Sequence, residues 1–198
     1  MQLFQNLDLL SVGIVISSIV ILGITVLFSN VRSLTNRSFF FLALFAALWS
    51  GFNYFSYQPG APEIILWLIK IALFFAVWFV YYFYRFAHVF PNETVENSKN
   101  TKRLFGVVTF TSLITLTPLV FMGISETSST GQILKLENGF GIILFGVVIV
   151  YLLLLGFADI FKKMYDKDSV ERKQSLPILV GALITFTLIL IFNFIFPA

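Results

Sequence analysis

Six apolar stretches, each near or above twenty residues, decide what this chain can fold into. They run from about Leu7 to Phe28, Ser38 to Tyr57, Ile64 to Phe90, Leu104 to Ile124, Phe140 to Phe161 and Leu176 to Phe196. About twenty apolar residues in helical form span a bilayer's hydrocarbon core. Membrane-spanning strands instead alternate apolar and polar residues over about ten positions, and a run such as Ile142–Leu155 does not alternate. Only 12% of the 198 residues are charged and 58% are hydrophobic, against about 25% charged in a soluble domain. A water-soluble core of this size cannot hide so much apolar surface, whereas lipid can take the core's place. The expected fold is an all-α polytopic membrane helix bundle: one transmembrane helical domain over residues 1–198, with six transmembrane helices.

The connections carry the usual breakers. Gln58-Pro59-Gly60-Ala61-Pro62 separates the second and third helices, and Phe90-Pro91-Asn92 ends the third, because proline disfavours helix in the residue before it. Pro177 is expected in the first turn of helix six, where its missing N–H is harmless. Pro118, inside the expected helix four, predicts a kink. The stretch 125–138 carries a weak signal for a small hairpin turning near Gly131.

Lys and Arg orient the bundle. Arg32 and Arg37 follow helix one; Arg85, Lys99, Lys102 and Arg103 lie around the end of helix three; Lys162, Lys163, Lys167, Arg172 and Lys173 follow helix five. These are eleven of the thirteen basic residues, all on one side. That side is expected to be cytoplasmic, with the N-terminus outside and the sequons Asn36-Arg37-Ser38 and Asn92-Glu93-Thr94 chance matches. Helix one lacks a basic leader and an A-x-A site and is too long for a signal peptide.

Several function classes drop out. There are no cysteines, so disulfides, thiolate metal sites and cysteine nucleophiles are excluded. The sequence pI of 9.2 comes from a net charge of only +3 and does not point to nucleic acid. No zincin, nucleophile-elbow or phosphate-loop motif is present, and one histidine, His88, cannot make a haem pair or a metal box. No cofactor and no catalytic residue are expected.

Lys70 stands inside helix three, about 10 Å from Glu63 along the axis. An intramembrane charge marks a candidate functional site, although its stem is long enough to snorkel to the outer surface. Trp49, Asn53 and Tyr57 recur every four residues on one face of helix two. Together with Lys70 they are expected to form a pocket for an anionic small-molecule ligand arriving from the outer side; the plainer reading makes Asn53 an interhelical hydrogen-bonding residue. Asn193 on helix six reads the same way. Asp159 is expected to pair with Lys162 or Lys163, at i+3 and i+4, and His88 to lie at the interface beside Arg85. Small-residue pairs (Gly13 and Ser17, Thr111 and Thr115, Gly181 and Thr185) mark faces for close helix packing within the bundle, or alternatively in a homodimer.

Ordered motifs carry a family resemblance. Asn36-Arg37 leads into Ala46-Ala47-Leu48-Trp49. Phe86-Ala87-His88-Val89-Phe90-Pro91 ends helix three. Arg172-Lys173-Gln174 precedes Leu179-Val180-Gly181, and Phe192-Asn193-Phe194-Ile195-Phe196-Pro197 closes the sequence. Over nearly its whole length the chain resembles the N-terminal seven-helix region of membrane-bound sensor histidine kinases. The resemblance implies a sensory input module in the cell membrane, relaying a ligand or membrane stimulus to a cytoplasmic output domain. The alternative is a small transporter or channel subunit, but no repeat relates helices one to three to helices four to six. Six helices leave both ends outside, so the chain is expected to be a fragment of a longer protein. The reading frame downstream of Ala198 is therefore expected to continue into a seventh helix and a signalling domain. Sequencing the source DNA checks this, and a stop codon there would favour a standalone membrane or transport role.

Overall fold

The computed structural model describes residues 2–91, 93, 99–127, 133–165 and 169–191. The expected turn near Gly131, Lys167, Asn193, Asn92 and Thr94 of the second sequon, and the closing stretch 192–198 lie outside the described residues. Six helices and one hairpin follow in order: α1 (Gln2–Ser29), α2 (Leu34–Ser56), α3 (Pro62–Val89), α4 (Lys99–Thr115), β1 (Phe121–Thr127), β2 (Ile133–Asn138), α5 (Gly141–Tyr165) and α6 (Ser169–Leu190). Five of the helices are long and apolar enough to cross a membrane; α4, with 17 residues, falls short. The chain is a multi-pass membrane protein of all-α type.

Helix four corrects the expectation most. It was expected over 104–124 but stops at Thr115, and Pro118 lies in the following turn rather than at a kink. The cause is local. Proline disfavours helix at Thr117, and nearby hydroxyls compete for the carbonyls. Thr115 Oγ1 donates to the Ser112 carbonyl (2.7 Å) and Thr117 Oγ1 to the Ile114 carbonyl (2.7 Å), while the Leu119 N–H donates to Thr117 Oγ1. The chain then forms an antiparallel hairpin, pairing Phe121 with Asn138 and Glu126 with Lys135. Gly139 and Gly141 N–H groups close its base on the Val120 and Leu119 carbonyls, at 2.8 Å each. Pro177 also departs from expectation: α6 begins at Ser169, so the proline lies within the helix rather than in its first turn.

The core is built around α3, which touches α2, α4, α5 and β1. Apolar burial gives helices little reason to associate in lipid, so packing must do the work. On the α2 side the packing is aromatic. Phe41 lies on Tyr82 (5.0 Å between centroids), Phe45 on Trp78 (5.8 Å), Phe52 on Phe75 (5.4 Å) and Trp49 nearly parallel on Phe79 (5.8 Å, 6°). On the α5 and α6 side Phe83 meets Phe157 (5.3 Å) and Phe186 (4.9 Å). The exposed side chains of α1, such as Leu10, Ile14, Ile21 and Phe28, are those that lipid accepts.

Two glycines allow the closest approaches between helices. A Cβ at Gly23 of α1 would come within 2.9 Å of Ala43 Cβ on α2, and one at Gly156 of α5 within 2.7 Å of the Phe83 ring and 3.4 Å of Tyr84 Cα on α3. At Gly13 and Gly181, singled out by spacing, nothing lies within 4 Å among the described residues. Thr111 and Thr115, by contrast, are buried. Gly156→Val is expected to destabilise the protein by about 1–3 kcal/mol through overpacking, measured as detergent unfolding. Gly13→Val is expected to stay near wild type, and equal effects would contradict the packing described.

Candidate functional site

The basic end of the bundle gathers α2, α3 and α5 into one polar junction. It begins where Pro91 ends α3. A helix leaves its last carbonyls without intrahelical donors, and in or near hydrocarbon each needs another partner. Here every carbonyl from Phe86 to Phe90 has one. The Phe90 N–H donates to Phe86 (3.0 Å) and the Glu93 N–H to Val89 (2.8 Å). Lys163 of α5 supplies the rest, its Nζ donating to Ala87 (2.6 Å), His88 (2.8 Å) and Phe90.

A second link lies beside it. His88 Nδ1 is 2.8 Å from Asp159 Oδ2, with the two side chains 24% and 30% exposed. The carboxylate accepts, so Nδ1 carries the hydrogen. The Tyr84 ring tilts over His88 at 5.7 Å. Asp159 and Lys163 are four residues apart and share one face of α5. A third link ties in α2: Ser33 caps it by accepting from the Asn36 N–H (3.2 Å) and donates its hydroxyl to Glu93. Glu93 itself adopts φ 53°, a left-handed conformation uncommon outside glycine.

The geometry corrects two expectations. Asp159 bonds to His88, 71 residues away, rather than to Lys162 or Lys163, and Lys163 is engaged with the α3 terminus. His88 is thus a partner of α5, not merely an interfacial neighbour of Arg85. The residue types were visible in sequence, but the parallel alignment of α3 and α5 that joins them was not.

Near the other end, Lys70 is buried, with its ammonium 5.4 Å from the Trp67 ring centroid. Val77 and Tyr81 follow it at i+7 and i+11 on the same stripe of α3, and Tyr81 meets Phe105 of α4 at 6.0 Å. Lys70 therefore lies on the α4 side of α3. Counting back from that contact, it sits at the depth of the last turn of α4, where Thr111, Ser112 and Thr115 are all buried. Thr111 Oγ1 has no hydrogen-bond partner among the described residues. Trp49 stacks on Phe79, nine residues from Lys70 and so half a turn away around α3. Asn53 is half-buried and Tyr57, the C-cap of α2, is exposed. The α2–α3 register places both at about the depth of Lys70. The four expected ligand residues thus do not come together: Asn53 and Tyr57 lie near the depth of Lys70, whereas Trp49, level with Phe79, lies about 13 Å further along α3.

Among the described residues no group of three or more His, Cys, Asp or Glu is placed to hold a metal. The arrangement offers two polar clusters joined by one long helix. The family model for the N-terminal 7TM region of histidine kinase matches residues 12–198.

The chain belongs to that family. This is the family that the ordered motifs resemble. The histidine kinase 7TM region is an input region, not itself a catalytic domain. No curated protein and no solved structure matches the chain. Within this 7TM region, Lys163 and the His88–Asp159 pair hold α3 against α5. Lys163→Met is expected to lower stability by about 1–3 kcal/mol, whereas Lys162→Met, one residue away and exposed, should stay within about 0.5 kcal/mol. A double-mutant cycle on His88→Ala and Asp159→Ala should give a coupling near 1 kcal/mol; strict additivity would refute the pair.

Proposed function

We propose that this chain is the membrane-embedded sensory module of a signal-transduction protein such as a sensor histidine kinase. It lies in the cell membrane with its basic end in the cytoplasm and relays an external or membrane stimulus to a cytoplasmic output domain. The observation that carries the reading is the family match over residues 12–198. The geometry supports a route for the relay. Lys70 and His88 stand 18 residues apart on α3, about 27 Å along one rigid helix. An anionic group arriving from the outer side would meet the Lys70 ammonium, with Asn53 and Tyr57 of α2 at similar depth. A ligand shifts a conformational equilibrium only by binding one state better than the other. Lys70 supplies such a preference, because a buried ammonium gains far more from an anion than an exposed one does. Movement of α3 would then change its junction with α5 at the opposite end.

The test uses the full-length protein with its output domain. Lys70→Met, Asn53→Ala and Asp159→Asn, made separately, are expected to change output activity, such as autophosphorylation, at least threefold while leaving membrane yield unchanged. Leu154→Ala, on a lipid-exposed position, should leave both unchanged. Unaltered output in the first three variants, or an equal loss of folded protein in all of them, would count against the relay.

A further inference from the structure

A shallow cleft of about 260 Å³ opens between α3 and α4 at the basic end, lined by Tyr81, Arg85, Thr101, Lys102 and Phe105. Its chemistry is one-sided. Arg85 and Lys102 bring two cations, and neither has a carboxylate partner among the described residues. Arg37 of α2 lies within electrostatic reach of the Tyr82 hydroxyl, as Arg85 does, so the positive field extends beyond the cleft. Thr101 adds a polar side chain to the lining.

The floor and exit are apolar. Tyr81 is buried, and Phe105 at the mouth is 47% exposed. Arg85 lies one turn from the end of α3 and Lys102 in the first turn of α4, so the cations sit where helix ends meet lipid headgroups. A ligand for this cleft must join a phosphate to an apolar tail. Arg presents a planar fork matched to phosphate oxygens, and basic pockets between transmembrane helices suit anionic headgroups.

We propose that this cleft binds the headgroup of an anionic phospholipid. The phosphate is held between Arg85 and Lys102, and the acyl chains pass the exposed Phe105 ring into the bilayer. Occupancy pins the start of α4 to α3 and makes the packing of the bundle depend on lipid composition.

The test is thermal unfolding of the purified chain in phosphatidylcholine nanodiscs with and without 30% phosphatidylglycerol. Phosphatidylglycerol is expected to raise the unfolding midpoint of the wild type by several degrees. Arg85→Gln/Lys102→Gln should lose most of that rise. Lys102→Gln alone, at an exposed position, should lose about half and serves if the double variant does not fold. Arg32→Gln/Lys162→Gln removes two exposed charges outside the cleft and should keep the rise. Equal loss in this control would mean a response to net charge alone and would overturn the site. The same rise from inorganic phosphate in pure phosphatidylcholine would assign the cleft to a free anion and overturn the lipid proposal, as would no rise at all in the wild type.

Discussion

Lys163 answers a demand that lipid makes of every helix. A carbonyl at a helix end must find a donor, and where water is scarce an unmet one is worth several kcal/mol. Three carbonyls at the end of α3 find theirs in one ammonium from α5. Since α3 is the helix that α2, α4 and α5 all touch, fixing its end fixes the reference for the rest. The His88–Asp159 bond reinforces the same α3–α5 joint, and the Ser33–Glu93 bond ties the start of α2 to it.

The body of the bundle relies on a different force. Lipid tails are as apolar as the side chains, so association depends on contact quality. Flat rings supply large contact areas with few rotatable bonds, and offset or edge-on pairs add about 0.5–1.5 kcal/mol each. That gives the 25 phenylalanines a role beyond hydrophobicity. Gly23 and Gly156 act in the opposite way, by contributing no side chain where two helices nearly touch.

The sequence declared its membrane helices through length and apolarity, and the positions of α1, α2, α3 and α5 follow closely from those two properties. It misled where apolar character continued without helix: Phe121 to Ile124 is apolar enough to extend a span, yet after Pro118 and the flanking hydroxyls end α4 it forms a strand. Azimuth was the other hidden quantity. Spacing marked Gly13 and Gly181 as packing positions, but which side of a helix faces a neighbour depends on partners that spacing does not name. For the same reason spacing did not show that Trp49 meets Phe79, half a turn around α3 and about 13 Å along it from Lys70. The partnership of His88 with Asp159 needed the tertiary alignment of segments 71 residues apart. The family was legible because it rests on order along the chain, which needs no azimuth.

The parallel run of α3 and α5 has an electrical consequence. Most neighbouring helices in a bundle are antiparallel, so their macrodipoles attract. Here two helices end side by side, each carrying about half a negative charge at the same terminus. Left alone, those ends would repel through a medium that screens poorly. Lys162 and Lys163 in the last turn of α5 put positive charge at that spot, and Lys163 touches the α3 end directly. The excess of basic residues there is thus a counter-charge for paired dipoles, and neutralising it would push apart the two helices that the junction holds together.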